Sequence, residues 1–444
     1  MRDIKSLCLL GTLIFLPVLS GCCDANEPND YAYVVGIGLD KAEQEGEYQI
    51  SIQYAKPTHI SGGSNGESGS GGETLGLVTV EAPTIYSGIS IANNIVSKRF
   101  QLSHTKIVVM SEEIAKEGIN DIMYTIVRSA DLRPNMYIAV AKGSAKEYFA
   151  SVQPQMEINP VKYYQLIFEN KAAEFVPKNV SQNIYFYINS DEKEVVLPLV
   201  SKSKEPQKDK KEESKSGEEQ KSNGETQEEN IDLPKTDAKI NYESFQFLMK
   251  EYVAGNVSAG KKNKSEVMGM AVFYDDKMVG EMSGIESEMY NILNGKFRYN
   301  YDSFESRNLP DKSVVMMLEQ HERPSVRIDV SGESPKIDIR VKLEGNVISV
   351  PEEYILEENI YKFEKEVAGD IKNALEKFLY KTSRELGTDI LGMGAYLKKS
   401  FLSYGDFEEY NWKEAYKHAE FNVDVKFNIR HTGLIIKNNQ ERDT

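Results

Sequence analysis

The chain has 444 residues, of which 69 are acidic and 53 are basic, so its formal net charge is −16 at pH 7. This length leaves room for two or three domains with substantial cores. The negative charge disfavours nucleic acid as a partner, because phosphates repel an acidic surface. Three cysteines, at positions 8, 22 and 23, are too few for a fold held together by several disulfides.

The first 21 residues have the organisation of a bacterial signal peptide. A basic start precedes the apolar run from Leu7 to Leu19, which is shorter than the roughly 20 residues of a membrane-spanning helix. The run ends in Leu19-Ser20-Gly21-Cys22, the pattern of a lipobox. We therefore predict a signal peptide over residues 1–21 and a lipid anchor on Cys22, namely diacylglycerol with an N-acyl chain such as palmitate. An ordinary secretory signal is the alternative.

Residues 22–200 alternate between strand and helix patterns. Tyr31–Asp40 and Tyr48–Tyr54 are predicted to form an antiparallel hairpin, because the second segment alternates strictly between polar and apolar residues. Such an alternation of strands and helices is typical of an α/β region, here with a mixed sheet and room for one domain and part of a second. The other predicted strands are Leu75–Val80, His104–Met110 and Tyr137–Ala141, and helices are predicted from Pro83, after Ser111, through Ile119–Val127 and over Ser144–Phe149.

Two segments have compositions that do not support a core. Ser61–Gly72 is almost entirely Gly, Ser, Asn and Glu, which predicts a flexible loop. Residues 202–229 contain no apolar side chain and mix Lys with Glu, so we predict a disordered charged linker or loop there. A polyampholyte segment that recruits a partner is the alternative reading of residues 202–229.

Residues 238–440 are predicted to form a C-terminal α/β region. Val326–Val330 and Ile337–Leu343 alternate with charged residues, so each strand has one exposed face. Apolar residues then recur at three- and four-residue steps over a long helix at about 357–386, which we expect to lie on a sheet. The remaining predicted elements are a helix near Tyr242–Glu251 and strands at Gly269–Tyr274, Met278–Gly280 and Phe421–Ile429.

No motif in the sequence indicates catalysis. The five histidines do not pair with one another or with Cys or Glu at metal-ligand spacing. The G-x-S-x-G match at Gly62–Gly66 lacks the strand and helix that would hold a nucleophile. Gly36-Ile37-Gly38 and Gly392-Met393-Gly394 both lack the third glycine of a dinucleotide-binding turn. The sequence therefore indicates a protein that is not an enzyme, without catalytic, metal-binding or cofactor-binding residues.

An ordered set of strings along the chain resembles the Ger(x)C family, the lipoprotein C subunits of bacterial spore germinant receptors. Each string is weak by itself, and their order and spacing carry the resemblance. One departure is Cys23, because family members usually carry Trp directly after the lipidated cysteine. The strings are the lipobox with Asn29-Asp30, Val34–Lys41, Ser103–Val109, Glu112–Ala115, Arg128, Ala139–Gly143, Ala271–Phe273, Asp276–Gly280, Asp389–Gly394, Trp412-Lys413 and Phe421–Gly433.

The resemblance implies a non-enzymatic subunit of a nutrient germinant receptor, needed for germination in response to small nutrients. It would be held on the outer face of the spore inner membrane by the lipid on Cys22, beside the receptor's A and B membrane subunits. The family fold implies about three domains, each with a central mixed sheet flanked by helices. The alternative is a solute-binding lipoprotein of an ABC importer, which the antiparallel strands expected at 326–343 and 421–429 fit poorly.

Overall fold

The structure is a computed structural model that describes residues 30–56, 74–154, 157, 159–169, 174–177, 179–190, 193–203, 252–257, 265–306, 309–351 and 356–433. The predicted signal peptide, Cys22, the Ser61–Gly72 loop, residues 204–229 and the helix near Tyr242–Glu251 lie outside these ranges. The strands are β1 (Tyr31–Lys41), β2 (Tyr48–Ala55), β3 (Leu75–Ala82), β4 (Arg99–Gln101), β5 (Ile107–Ser111), β6 (Tyr137–Ala141), β7 (Val196–Lys202), β8 (Ser265–Tyr274), β9 (Lys277–Met282), β10 (Tyr299–Ser306), β11 (Leu309–Glu319), β12 (Ser325–Asp329), β13 (Lys336–Ser349) and β14 (Glu420–His431).

The helices lie between these strands and mostly begin where the sequence predicts. Ser111 and Ser144 cap α2 and α4 through their side chains, as expected of N-cap serines. The strand predicted from His104 starts later, because Leu102–His104 forms a 3₁₀ turn. The helices are α1 (Ile85–Ala92), α2 (Glu112–Glu117), α3 (Asn120–Arg128), α4 (Ala145–Ser151), α5 (Pro160–Phe168), α6 (Ser181–Ile188), α7 (Gly284–Leu293), α8 (Leu356–Tyr380), α9 (Met393–Lys398), α10 (Tyr404–Tyr410) and α11 (Trp412–Tyr416).

The first sheet has nine strands in the order β3-β2-β1-β5-β6-β7-β8-β9, with β4 beside the start of β1. Its middle strands β1, β5, β6 and β7 are parallel, and antiparallel strands complete both sides. The predicted hairpin is confirmed as β1 and β2. The connections between the parallel strands β5, β6 and β7 pass through helices, because parallel neighbours need a crossover. The mixed α/β class predicted from the sequence is therefore confirmed.

The predicted boundary at residues 202–229 does not separate the two sheets. Strands β8 and β9 follow this segment in the chain, yet they complete the first sheet, with Val196 of β7 opposite Val272 of β8. β8 lies between β7 and the edge strand β9, and its second half, Gly269–Phe273, is buried. The described residues therefore form two sheets where about three domains with one sheet each were expected.

The second sheet contains β10-β11-β13-β12, with β14 on the other side of β13. β13 runs antiparallel to β11 and β12, as expected, but parallel to β14. The expectation of an antiparallel strand at 421–429 is therefore wrong. The long helix α8 carries the chain back across the sheet between β13 and β14, and such a crossover makes the two strands parallel.

Helix α8 lies on the second sheet, as the apolar stripe predicts. Phe363, Val367, Ile371, Leu375 and Phe378 are all buried. Its Glu376 and Glu364 side chains accept hydrogen bonds from the Val423 and Ile429 amides of β14. A π-helical turn, Lys381–Glu385, extends it to the predicted end near residue 386. Within the described ranges, no helix combines the length and apolar character needed to cross a bilayer.

Candidate functional site at the junction of the two sheets

The single site residue predicted from the sequence, Cys22, lies outside the described residues, so its lipidation stays a prediction. Across the described ranges, no group of three or more His, Cys, Asp or Glu side chains is arranged to hold a metal ion. His104, one of the five histidines, contacts the ring of Tyr33 at a centroid distance of 5.1 Å. Burial, followed by the charges of Arg133 and Lys106, lowers the pKa of His104.

The glycine pair of β1 serves close packing. A Cβ atom at Gly36 would lie 2.5 Å from Phe149 Cε1, and one at Gly38 would lie 3.0 Å from the same ring, so only glycine allows α4 to approach the sheet this closely. The Asp40 carboxylate accepts hydrogen bonds from the Ala145 and Lys146 amides, at 2.7 and 2.8 Å. The string Val34–Lys41 therefore fixes α4, and Asp40 occupies the helix N-terminus.

The second Gly-x-Gly string belongs to a buried network around Asp389. One carboxylate oxygen of Asp389 accepts from the Gly392 amide at 2.9 Å, and the other accepts from the Gly394 amide at 2.8 Å and from the Trp412 indole at 2.9 Å. Gly392 has φ of +74°, a left-handed conformation that favours glycine. Because the loop amides bind the chain's own carboxylate, this loop is a structural cap.

The same network joins the second region to the edge of the first sheet. The Glu194 amide, just before β7, donates to the carbonyl of Asp389 at 3.0 Å. Lys413 then pairs with Glu194 at 2.9 Å and with Asp275, in the turn between β8 and β9, at 2.6 Å. Glu194 also accepts from the Asp275 amide at 2.8 Å. These contacts define the junction, namely Lys193, Glu194, Asp275, Asp389, Trp412 and Lys413.

The junction holds buried charges in opposing pairs. Burial lowers the pKa of Lys413, but its hydrogen bonds and ion pairs with Asp275 and Glu194 outweigh burial, so the net pKa is raised. For Glu194 burial is the larger effect, and the net pKa is raised although Lys413 lowers it. Burial also raises the pKa of Asp389 and lowers that of Lys193. Glu194 is almost fully buried, whereas Asp275 is 57% exposed, so removing Lys413 would leave the Glu194 charge buried without its partner, which is strongly destabilising.

Lys193 closes the junction on the side of the first sheet. Its ammonium group lies 5.3 and 5.5 Å from the ring centroids of Tyr187 and Tyr290 and donates to the Asn294 side chain at 3.4 Å. Its aliphatic stem packs on Gly392, where a Cβ atom would approach within 3.0 Å. The ammonium group is thus held by ring faces and by the negative charge of Asp389.

Two of the strings behind the family resemblance, Asp389–Gly394 and Trp412-Lys413, meet at this junction although they are far apart in the sequence. A third, Asp276–Gly280, begins directly after the junction residue Asp275. Sequence reasoning found these strings but could not show that they touch, and it missed Lys193 and Glu194. An acidic and a basic residue directly before an apolar strand gave no signal beyond an exposed turn.

A second polar cluster is buried beneath α7. The Asn300 amide donates to Glu288 at 2.9 Å and to Asp302 at 3.1 Å, and so holds the two carboxyl groups close together. Burial and then the neighbouring Asp302 hold the pKa of Glu288 well above its usual range, and burial raises the pKa of Asp302 to about 7. The pair therefore retains a proton at neutral pH. Sequence reasoning missed it, because β10 presents Asn300 and Asp302 to the core and Tyr301 to solvent.

The fold and its internal networks define the class: an α/β protein with two mixed sheets joined by a buried ion-pair junction. Two family models match it. Residues 24–202 match the spore germination protein N-terminal domain, and residues 268–433 match the spore germination B3/GerAC-like C-terminal domain. Together these matches cover most of the chain. The chain belongs to the Ger(x)C family of spore germination proteins.

Individual relatives are more distant. Spore germination protein KC of Bacillus subtilis strain 168 is 28% identical over 148 residues, which are 33% of this chain and 36% of that protein. Putative spore germination protein YfkR of the same organism is 31% identical over 146 residues, or 32% of this chain and 36% of the relative. The matches thus span about a third of each relative. The crystal structure of the GerBC protein aligns with 89% of this chain and 96% of its own at 13% identity, with a TM-score of 0.49.

Proposed function

We propose that this chain is the lipid-anchored C-type subunit of a nutrient germinant receptor and is needed for spore germination in response to small nutrients. The observation that carries the proposal is the pair of family models, which match in order on both sides of the charged segment. The family assignment supports a non-catalytic role in a receptor. Relatives named spore germination protein A3 and B3 support the same assignment.

The location follows from Cys22. With diacylglycerol and an N-acyl chain on this residue, the protein is held on the outer face of the spore inner membrane, beside the A and B membrane subunits. Each acyl methylene that enters the bilayer contributes about 0.8 kcal/mol, and two or more chains give stable anchoring. The chain's net charge of −16 supplies no attraction to anionic lipid, so the acyl chains carry the attachment.

The test of anchoring is Cys22→Ala, with Cys23→Ala as the matched control one residue away. We expect the Cys22→Ala protein to leave the membrane fraction of the spore and nutrient-triggered germination to fall. The Cys23→Ala strain should keep both membrane attachment and germination. Germination that stays normal while the Cys22→Ala protein is soluble would show that anchoring is dispensable.

The test of the receptor role is a deletion of the chain in its host, with spores scored for loss of refractility against single nutrients. We expect loss of the response to one class of nutrient, while the response to calcium dipicolinate persists. Normal germination with every nutrient, together with slow growth on one solute, would instead support the importer alternative. The parallel pairing of β13 with β14 removes one argument against that alternative, so this experiment decides between the two.

A further inference from the structure

Four large apolar side chains project into solvent where α6 faces the segment from α9 to α10. They form the apolar rim, defined as Phe186, Tyr396, Leu402 and Tyr404. Leu402 is fully exposed, and Phe186 is 63% exposed. Phe186 and Tyr404 also line an open cleft of about 610 Å³. A cluster of this kind marks a surface that meets something apolar.

The rim lies near the edge of the first sheet at which the chain enters β1. The parallel strands β1, β5 and β6 start at this edge. Helix α3 ends near this edge, since the next element in the chain after α3 is β6, which starts at the edge. Helix α6 begins there, because the Ser181 amide donates to the carbonyl of Met136. Val127 at the end of α3 and Gln182 at the start of α6 both line the cleft.

The chain length between the lipobox and β1 limits how far this edge can lie from a bilayer. Nine residue steps separate Cys22 from Tyr31, and a fully extended chain spans at most about 32 Å over nine steps. This step rests on the proposed anchoring through Cys22. With that anchor, the start of β1 remains within about 32 Å of the membrane surface, so the edge of the sheet that carries the cleft can reach the membrane.

The chemistry of the rim suits the interfacial region of a bilayer. Tyrosine combines an apolar ring with a hydroxyl that stays hydrated, and such side chains are enriched at membrane interfaces. Lys398 lies over the Tyr404 ring at 4.8 Å from its centroid, and Lys399 follows it in the chain. A lysine can pack its stem on apolar surface and keep its ammonium group in water.

We propose that the apolar rim inserts into the lipid interface and so fixes the orientation of the anchored protein, with Leu402 as the deepest residue. The acidic chain gains nothing from anionic headgroups, so contact through apolar groups occurs on zwitterionic lipid as well. The anchor alone would leave the protein free to rotate on its tether. The rim adds a second contact, which restricts this rotation.

The experiment uses the lipidated, mature protein reconstituted on phosphatidylcholine vesicles with brominated acyl chains, which quench tryptophan emission on contact. Leu402→Trp is compared with Tyr361→Trp. Tyr361 is also exposed and aromatic, but it lies near the start of α8, about 29 Å along the helix from its end at Tyr380. The natural Trp412 is buried and gives the background, which the unmodified protein measures.

We expect the emission added by Leu402→Trp to shift to shorter wavelength and to be lost to brominated lipid, while the emission added by Tyr361→Trp keeps its intensity. Flotation of the same samples reports the anchor independently. If the protein floats but shows no quenching at position 402, or equal quenching at both positions, then insertion of the apolar rim is wrong. Anchoring through Cys22 would still hold. If the protein fails to float, the proposed anchoring through Cys22 is wrong, and so is the insertion of the apolar rim, which depends on it. A blue shift at 402 that requires the membrane subunits and not lipid would assign the rim to a protein contact and also overturn the proposal.

Discussion

The two sheets bury their strands differently, and the difference explains which parts of the fold the sequence reveals. Every residue of β5 and β6 is buried, because helices cover both faces of the first sheet. Val108 and Met110 pack on one side, and Ile107 and Val109 pack on the other. In the second sheet, β13 alternates between buried and exposed residues over most of its length. One sheet is thus a central layer, whereas the other covers the core from one side.

The prediction with the largest expected effect is a loss of unfolding free energy in Asp389→Ala, and it tests whether the two sheets unfold as one unit. Asp389→Ala would leave the Gly392 and Gly394 amides and the Trp412 indole without their acceptor in a buried site. Leaving such groups unpaired, beside the buried cation Lys193, costs about 3–5 kcal/mol of unfolding free energy. Urea unfolding followed by Trp412 emission and by far-ultraviolet circular dichroism measures the loss.

If the junction couples the sheets, the unfolding transitions seen by Trp412 emission and by circular dichroism both move to the same lower urea concentration in the Asp389→Ala variant. Asp389→Asn keeps a carbonyl oxygen as an acceptor and should lose less stability, and the exposed Asp131→Asn should change little. A transition that moves for Trp412 emission while the dichroism transition stays in place would show that the second region unfolds independently. The two sheets would then be separate cooperative units in spite of their shared contacts.

The second prediction concerns the buried polar cluster of Glu288, Asn300 and Asp302. Asp302 has a pKa raised to about 7 in the folded protein, by burial in the first place, and an ordinary carboxyl pKa when unfolded. Between these two values the folded state binds more protons, so the free energy of unfolding falls as the pH rises. The loss contributed by Asp302 from pH 5 to pH 7 is at most about 2–3 kcal/mol.

Asp302→Asn removes this titration and keeps the size of the side chain. Relative to the parent, the variant should therefore gain stability as the pH rises from 5 to 7, as urea unfolding at several pH values would measure. Asp131→Asn, on the exposed surface, is the control and should follow the parent at each pH. Parallel pH profiles for the parent and Asp302→Asn would contradict the raised pKa of Asp302.

The contrast between the sheets also explains what could be predicted from the sequence. Ile337, Ile339, Val341 and Leu343 alternate with charged residues, so both the strand and its buried face were predictable. The direction of β14 was not, because side-chain alternation is the same in parallel and antiparallel strands. The inward position of Asp302 was equally hidden, since the other carboxyl group of the cluster, Glu288, comes from helix α7. Strand existence is local information, whereas pairing and buried polar contacts depend on residues that meet only in the fold.

The smallest effect compares the sheets through a glycine in each region. At Gly36 of β1, a Cβ atom would lie 2.5 Å from the buried Phe149 ring, so Gly36→Ala should cost about 1–3 kcal/mol of unfolding free energy through overpacking. At Gly369, within α8, a Cβ atom would meet nothing within 4 Å, so Gly369→Ala should stabilise by about 0.5–1 kcal/mol through helix propensity. Urea unfolding of the two variants measures this opposite pair of shifts. A Gly36→Ala protein as stable as the parent would mean that α4 can move off the sheet at little cost. The close contact made by the string Val34–Lys41 would then not be what requires glycine at that position.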